Sequence, residues 1–130
     1  MESLDQLCAE YGYKFAEQVS QRLGNPKTAE TLITKALGVL QEQGLYAFIL
    51  FCESRGNDEK HGAEEIKRLA KEVLKDKLQL ISNGDILEEV RKKDGLASRL
   101  YDLMLAVQVL EKSLIYARFH AKAMKKAGEE

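Results

Sequence analysis

The chain is predicted to fold as an all-α, single-domain helical bundle of about five to six helices, closed by one long C-terminal helix. Three observations carry that expectation. Proline occurs once in 130 residues, at Pro26, so little interrupts helical backbone. No stretch of any length alternates apolar and polar residues, as a half-buried strand requires. From Leu100 to Met124, apolar residues fall at Leu100, Leu103, Val107, Leu110, Leu114, Ala117, Ala121 and Met124. That unbroken three-four spacing lays one apolar stripe along a helix.

The elements follow in order. Ser3 and Gln6 form a capping box, and Leu4, Leu7, Cys8, Tyr11, Phe15, Val19 and Leu23 mark one face of a first helix. Gly24 stops it. Asn25 caps the second helix with Pro26 at its first position, where the missing N–H costs nothing. Leu32, Ile33, Ala36, Leu37 and Leu40 give that helix its inner face, and Gly44 interrupts it. The eight-residue apolar run Leu45 to Cys52 suits a central, fully buried third helix, since no partner strand exists for it. Gly56 to Gly62 is a polar stretch bracketed by glycines and is expected to be a mobile loop. Ile66, Leu69, Ala70, Val73, Leu74, Leu78 and Ile81 mark a strongly amphipathic helix ended by Ser82-Asn83-Gly84. Asp85 with Glu88 opens a short helix through Ile86, Leu87 and Val90, which Asp94-Gly95 breaks. The final helix is expected from near Leu96 to about Lys126. One domain spans residues 1–130, with 127–130 a frayed tail.

Composition bounds the function. The chain is 45% hydrophobic and 32% charged, as a packed domain requires and a disordered one does not. Lys plus Arg number 20 against 21 Asp plus Glu, a net charge of -1. Any nucleic-acid surface must therefore come from local segregation of charge. Cys8 and Cys52 both stand among apolar neighbours and read as buried free thiols rather than a disulfide scaffold. No apolar run spans a bilayer and no secretory leader opens the sequence, so a cytoplasmic location without membrane contact is expected.

Reaction chemistry is hard to find. His61 and His120 are the only histidines, and neither has a second ligand at metal spacing. The glycines never approach a phosphate-cradling loop. Asp58 and His61 suit a solvated turn better than a ligand pair, and no serine or cysteine has the local signature of a nucleophile. No catalytic residue, metal, cofactor or small-molecule substrate is expected.

The basic residues are more suggestive. Lys67, Lys71 and Lys75 repeat every four residues, which places them in one row on the polar face of their helix. Glu64, Glu65, Glu72 and Asp76 flank that row and can neutralise it. Arg118, Lys122 and Lys125 form a second row, with Lys126 beside it. The helix macrodipole favours cations at positions 125 and 126 but reaches Lys112 and Arg118 poorly. Tyr116 and Phe119 lie near this row and suit base stacking. Lys67, Lys71, Lys75, Arg118, Lys122, Lys125 and Lys126 are the candidate RNA-binding residues. Tyr101, Met104, Leu105, Val109, Ile115, Tyr116 and Phe119 also make the last helix apolar off its stripe. Such a helix is either central in its own core or covered by a partner.

Three stretches carry a family resemblance: Tyr11-Gly12-Tyr13-Lys14-Phe15-Ala16, Gly44-Leu45-Tyr46-Ala47-Phe48-Ile49-Leu50 and Arg118-Phe119-His120-Ala121. With them the chain resembles the small, all-helical subunit of the type III-B CRISPR effector complex, the Cmr small subunit. The small subunit of the type III-A complex is a near alternative of similar role. The resemblance implies a non-catalytic job. Such subunits stack into a minor filament beside the guide-RNA backbone, contact target RNA, and touch other effector subunits and further copies of themselves. The competing expectation is a homo-oligomeric helical adaptor with no RNA role. An enzyme with a site at Gly56–Gly62 is a distant third.

Overall fold

A computed structural model describes residues 3–129. Among them there are six α-helices and no strand. The helices are α1 (Leu4–Leu23), α2 (Pro26–Gln43), α3 (Leu45–Ser54), α4 (Lys60–Glu72), α5 (Ile86–Arg91) and α6 (Leu100–Glu129). Both N-terminal caps behave as their residues dictate. Ser3 Oγ accepts from the Gln6 N–H while Gln6 Oε1 accepts from the Ser3 N–H. Asn25 Oδ1 accepts from the Thr28 N–H, with Pro26 at the first position. Gly24 ends α1 at φ 87°, and Gly44 separates α2 from α3 at φ 94°, a left-handed region that favours glycine.

The core is built around α1 and α6, which run side by side in the same direction. Cys8 meets Val109, Gly12 meets Ser113 and Tyr116, and Tyr13 meets His120. Gly12 allows the closest approach, with no Cβ to hold the helices apart. The opposite face of α1 receives α4 running the other way, as the pairs Leu23–Gly62, Arg22–Glu65, Gln18–Arg68 and Tyr11–Glu72 record. α2 covers α6 from another side, and Glu30 reaches Lys125 at its far end. Tyr11, Phe15, Leu32, Ile33, Leu40, Phe48, Ile49, Ile66, Leu69 and Leu74 are enclosed completely or nearly so, and their burial is the main force closing the bundle. Cys8 and Cys52 are buried free thiols; burial pushes the Cys52 thiol up to about 12, where it is unreactive near neutral pH.

Four expectations need correction. α3 is not the fully buried centre: it lies against α2, α4 and α5 and buries Leu45, Phe48, Ile49 and Cys52 while Leu50 is 45% exposed. The segment Gly56–Gly62 is largely ordered helix. Asn57–Glu59 form a 3-10 turn, α4 begins at Lys60, and Gly62 packs on Leu23. Glu59 is held by Lys35 and Arg55. The amphipathic helix stops as α-helix at Glu72, passes through a π-helical turn at Val73–Lys77, and leaves helix before Leu80 and Ile81. The last helix starts at Leu100 rather than Leu96, because Leu96–Ser98 form a 3-10 turn and Arg99 is extended at φ -109°. At the other end α6 continues to Glu129, through most of the expected tail, while Glu130 lies outside the described residues.

Candidate functional site

The outer side of α6 is the candidate surface. Its buried side is made by Ala106, Val109, Leu110, Ser113, Leu114, Ala117 and Ala121. At 100° per residue, Tyr101, Met104, Gln108, Ile115, Phe119, Lys122 and Lys126 point the other way. Tyr101 is 84% exposed, Leu100 64% and Met104 48%. The leading end of α6 is therefore an oily edge, and exposed Leu4 of α1 lies one turn on, beside Leu105 and Gln108. Toward the far end the same side becomes basic. Of the apolar stripe, Leu110, Leu114, Ala117 and Ala121 are buried, Leu103, Val107 and Met124 pack half-buried against the core, and Leu100 lies in solvent.

The cations of α6 divide by their partners. Lys125 Nζ is 3.5 Å from Glu30. Lys112 Nζ is 2.7 Å from Asp5, whose other contact is the Tyr116 hydroxyl at 2.8 Å. Those bonds hold the Asp5 carboxyl below, and the Lys112 ammonium above, their usual ranges. Arg118, Lys122 and Lys126 have no carboxylate partner among the described residues. The Arg118 guanidinium instead lies 5.8 Å from the Phe119 ring centre, within cation–π reach. Of the expected row Arg118, Lys122 and Lys125, with Lys126 beside it, Lys125 alone pairs with a carboxylate among the described residues.

The row on α4 is more nearly cancelled. Lys67 Nζ is 2.9 Å from Glu53 on α3, and Lys75 Nζ is 3.1 Å from Asp76. Lys71 alone has no carboxylate partner among the described residues. The π-helical turn puts Lys75 out of α-helical register with Lys67 and Lys71, although Lys71 and Lys75 still border one shallow groove. Glu65 and Glu72, expected to neutralise this row, serve Arg68 instead. Glu65 is buried, takes Arg22 as a second partner, and its carboxyl is held below the usual range chiefly by the Arg68 hydrogen bonds. That cluster ties α4 to α1 and presents no reactive group. His61 has moved from the expected loop into α4, 3.5 Å from Glu64.

One feature was hidden from the sequence. Ala9 of α1 with Tyr116, Phe119, His120 and Ala123 of α6 lines a shallow, open cleft of about 320 Å3. Tyr13 stands at its side, its ring 5.9 Å from that of His120 and nearly perpendicular to it. Tyr13 is 52% exposed and Phe119 60%. Both are off the apolar stripes of their helices. That displacement was the available signal, but only the parallel packing of α1 and α6 brings the two together.

Among the described residues, no group of three or more histidine, cysteine or acidic side chains gathers to hold a metal. No helix there is long and apolar enough to cross a membrane. No protein-family model, curated protein or solved structure matches the chain.

Proposed function

We propose that the chain is a non-catalytic structural subunit of a CRISPR RNA-guided effector ribonucleoprotein of type III. In this reading the far half of α6 contacts RNA phosphates, and the oily leading end is covered by other effector subunits or further copies of the chain. The observation that carries the reading is the division of one exposed helix side into an apolar edge and a cation cluster without carboxylate partners among the described residues. Solvent alone gives no reason to keep Leu100, Tyr101 and Met104 together on a surface. Phosphate contact needs only positioned cations, not groups that read base edges. The resemblance in the three segments supplies the type of complex. Arg118, Lys122 and Lys126 are the main contacts, Lys125 a weaker one, and Lys67, Lys71 and Lys75 a secondary, largely neutralised surface.

Filter binding of single-stranded RNA to the whole chain tests this. Three phosphate contacts predict a log–log salt slope of about −2, and Lys122→Glu with Lys126→Glu abolishes most of it. Lys67→Glu with Lys71→Glu weakens binding less. Absence of binding even at low salt, together with a closed oligomer in light scattering, would establish the competing reading. In that reading the oily edge of α6 serves a homo-oligomeric adaptor and its cations are merely solvated.

A further inference from the structure

We infer that the cleft between α1 and α6 takes an unstacked nucleobase, so that the RNA held by this surface is single-stranded. The inference rests on the RNA reading above and adds a mode of contact to it. The lining is apolar and aromatic: Ala9, Tyr116, Phe119, His120 and Ala123. Two aromatic side chains are kept in solvent there, Phe119 on α6 and Tyr13 on α1. Exposed rings attract bases because every base offers a π-face, whatever its identity.

Charge around the cleft favours a polyanion over an apolar peptide. Arg118 lies over the Phe119 ring, and Lys122 and Lys126 follow Phe119 at one and two turns along α6. None of the three has a carboxylate partner among the described residues. Of the two carboxylates bonded to the tyrosines here, Asp5 is neutralised by Lys112, while Glu17 keeps its charge and is outnumbered by the three cations. Glu17 accepts the Tyr13 hydroxyl, and Asp5 accepts from both Tyr116 and Lys112. A strand whose phosphates follow the outer side of α6 thus passes the mouth of the cleft. Phe119, between the cations and the cleft, is the ring on which a base turns inward. A duplex cannot present a base this way, because its bases are already stacked and paired.

The test compares the whole wild-type chain with Phe119→Ala, Tyr13→Ala and Phe119→Trp on an unpaired oligoribonucleotide and on an RNA duplex with the same number of phosphates. Both replaced side chains are largely exposed, so all three variants should fold. Single strand should bind about fivefold or more tightly than duplex, and Phe119→Ala should remove roughly that preference. Phe119→Trp should restore it. An oligomer carrying 2-aminopurine should lose fluorescence on binding to wild type and not to Phe119→Ala. Equal affinity for the two RNAs with an unchanged salt slope overturns base capture and leaves phosphate contact standing. Loss of all RNA binding overturns both. Concentration-dependent self-association removed by Phe119→Ala, without RNA binding, would assign the cleft to a protein partner.

Discussion

A single missing carbon sets how closely α1 and α6 approach. A Cβ on Gly12 would lie 2.5 Å from Tyr116 Cβ and 3.1 Å from the Ser113 carbonyl oxygen, and neither neighbour is the yielding end of a long side chain. Gly12→Ala is expected to cost about 1–3 kcal/mol as overpacking, read as a lower denaturation midpoint. An unchanged midpoint would mean that the two helices slide freely. Phe48 makes the opposite case: it is fully enclosed, and Phe48→Ala should cost about 3–5 kcal/mol as a cavity. Glu65 adds a pH dependence. Its folded-state value lies below the ordinary 4.5, so the native state binds fewer protons than the unfolded chain. The Arg68 and Arg22 contacts therefore contribute fully above about pH 4.5, and the contribution is lost as pH falls through the lowered value. Acid titration of stability should fall more steeply below pH 4.5 in wild type than in Glu65→Gln. Parallel curves would show that the buried carboxylate is not a determinant of acid sensitivity.

At the scale of elements, what could be read and what could not have separate physical causes. Capping is local chemistry, so Ser3 with Gln6 and Asn25 with Pro26 were legible in the sequence as starts of α1 and α2. The stripe on α6 was legible as a helix, and all of it but its first residue, Leu100, is buried or packed against the core. A strict three-four spacing repeats every 3.5 residues while a straight helix turns every 3.6, so the stripe drifts about 20° per heptad. Across three heptads Leu100 lands well round the helix from Ala121, and the parallel neighbour α1 buries Val109 and Ser113 as well. The end of α4 was missed for a different reason. Leu78 and Ile81 keep helical spacing, but the Leu78 N–H reaches back five residues to Val73 and the Leu80 N–H six to Leu74, and Gln79 then turns at φ 55°. The fold thereby buries Leu80, off the stripe, in place of a next helical turn. The candidate cleft needed two helices brought into one direction, which no local pattern encodes. Backbone protection should follow the same logic. Hydrogen exchange is expected to be slowest between residues 109 and 121 of α6 and fast beyond Met124. Uniform protection along α6 would indicate a covering partner on both ends.

The molecule as a whole is almost neutral, at -1, yet one exposed helix side is oily at one end and basic at the other. Separation along about thirty residues makes the two ends independently testable. Substituting Tyr101→Lys and Met104→Lys touches only surface, so stability should stay within about 0.5 kcal/mol of wild type. The double variant should nevertheless lose self-association or capture by a protein partner, because it removes the largest exposed apolar side chain on the oily edge and a neighbour on the same side. Its affinity for single-stranded RNA should hardly change. Lys122→Glu with Lys126→Glu should do the reverse, sparing association in light scattering while flattening the salt dependence of RNA binding. The pair of results separates a molecule with two working surfaces from one with a single extended interface. If each double variant impaired RNA binding and association to the same degree, the oily and basic ends would be parts of one contact, and the division of labour along α6 would fail.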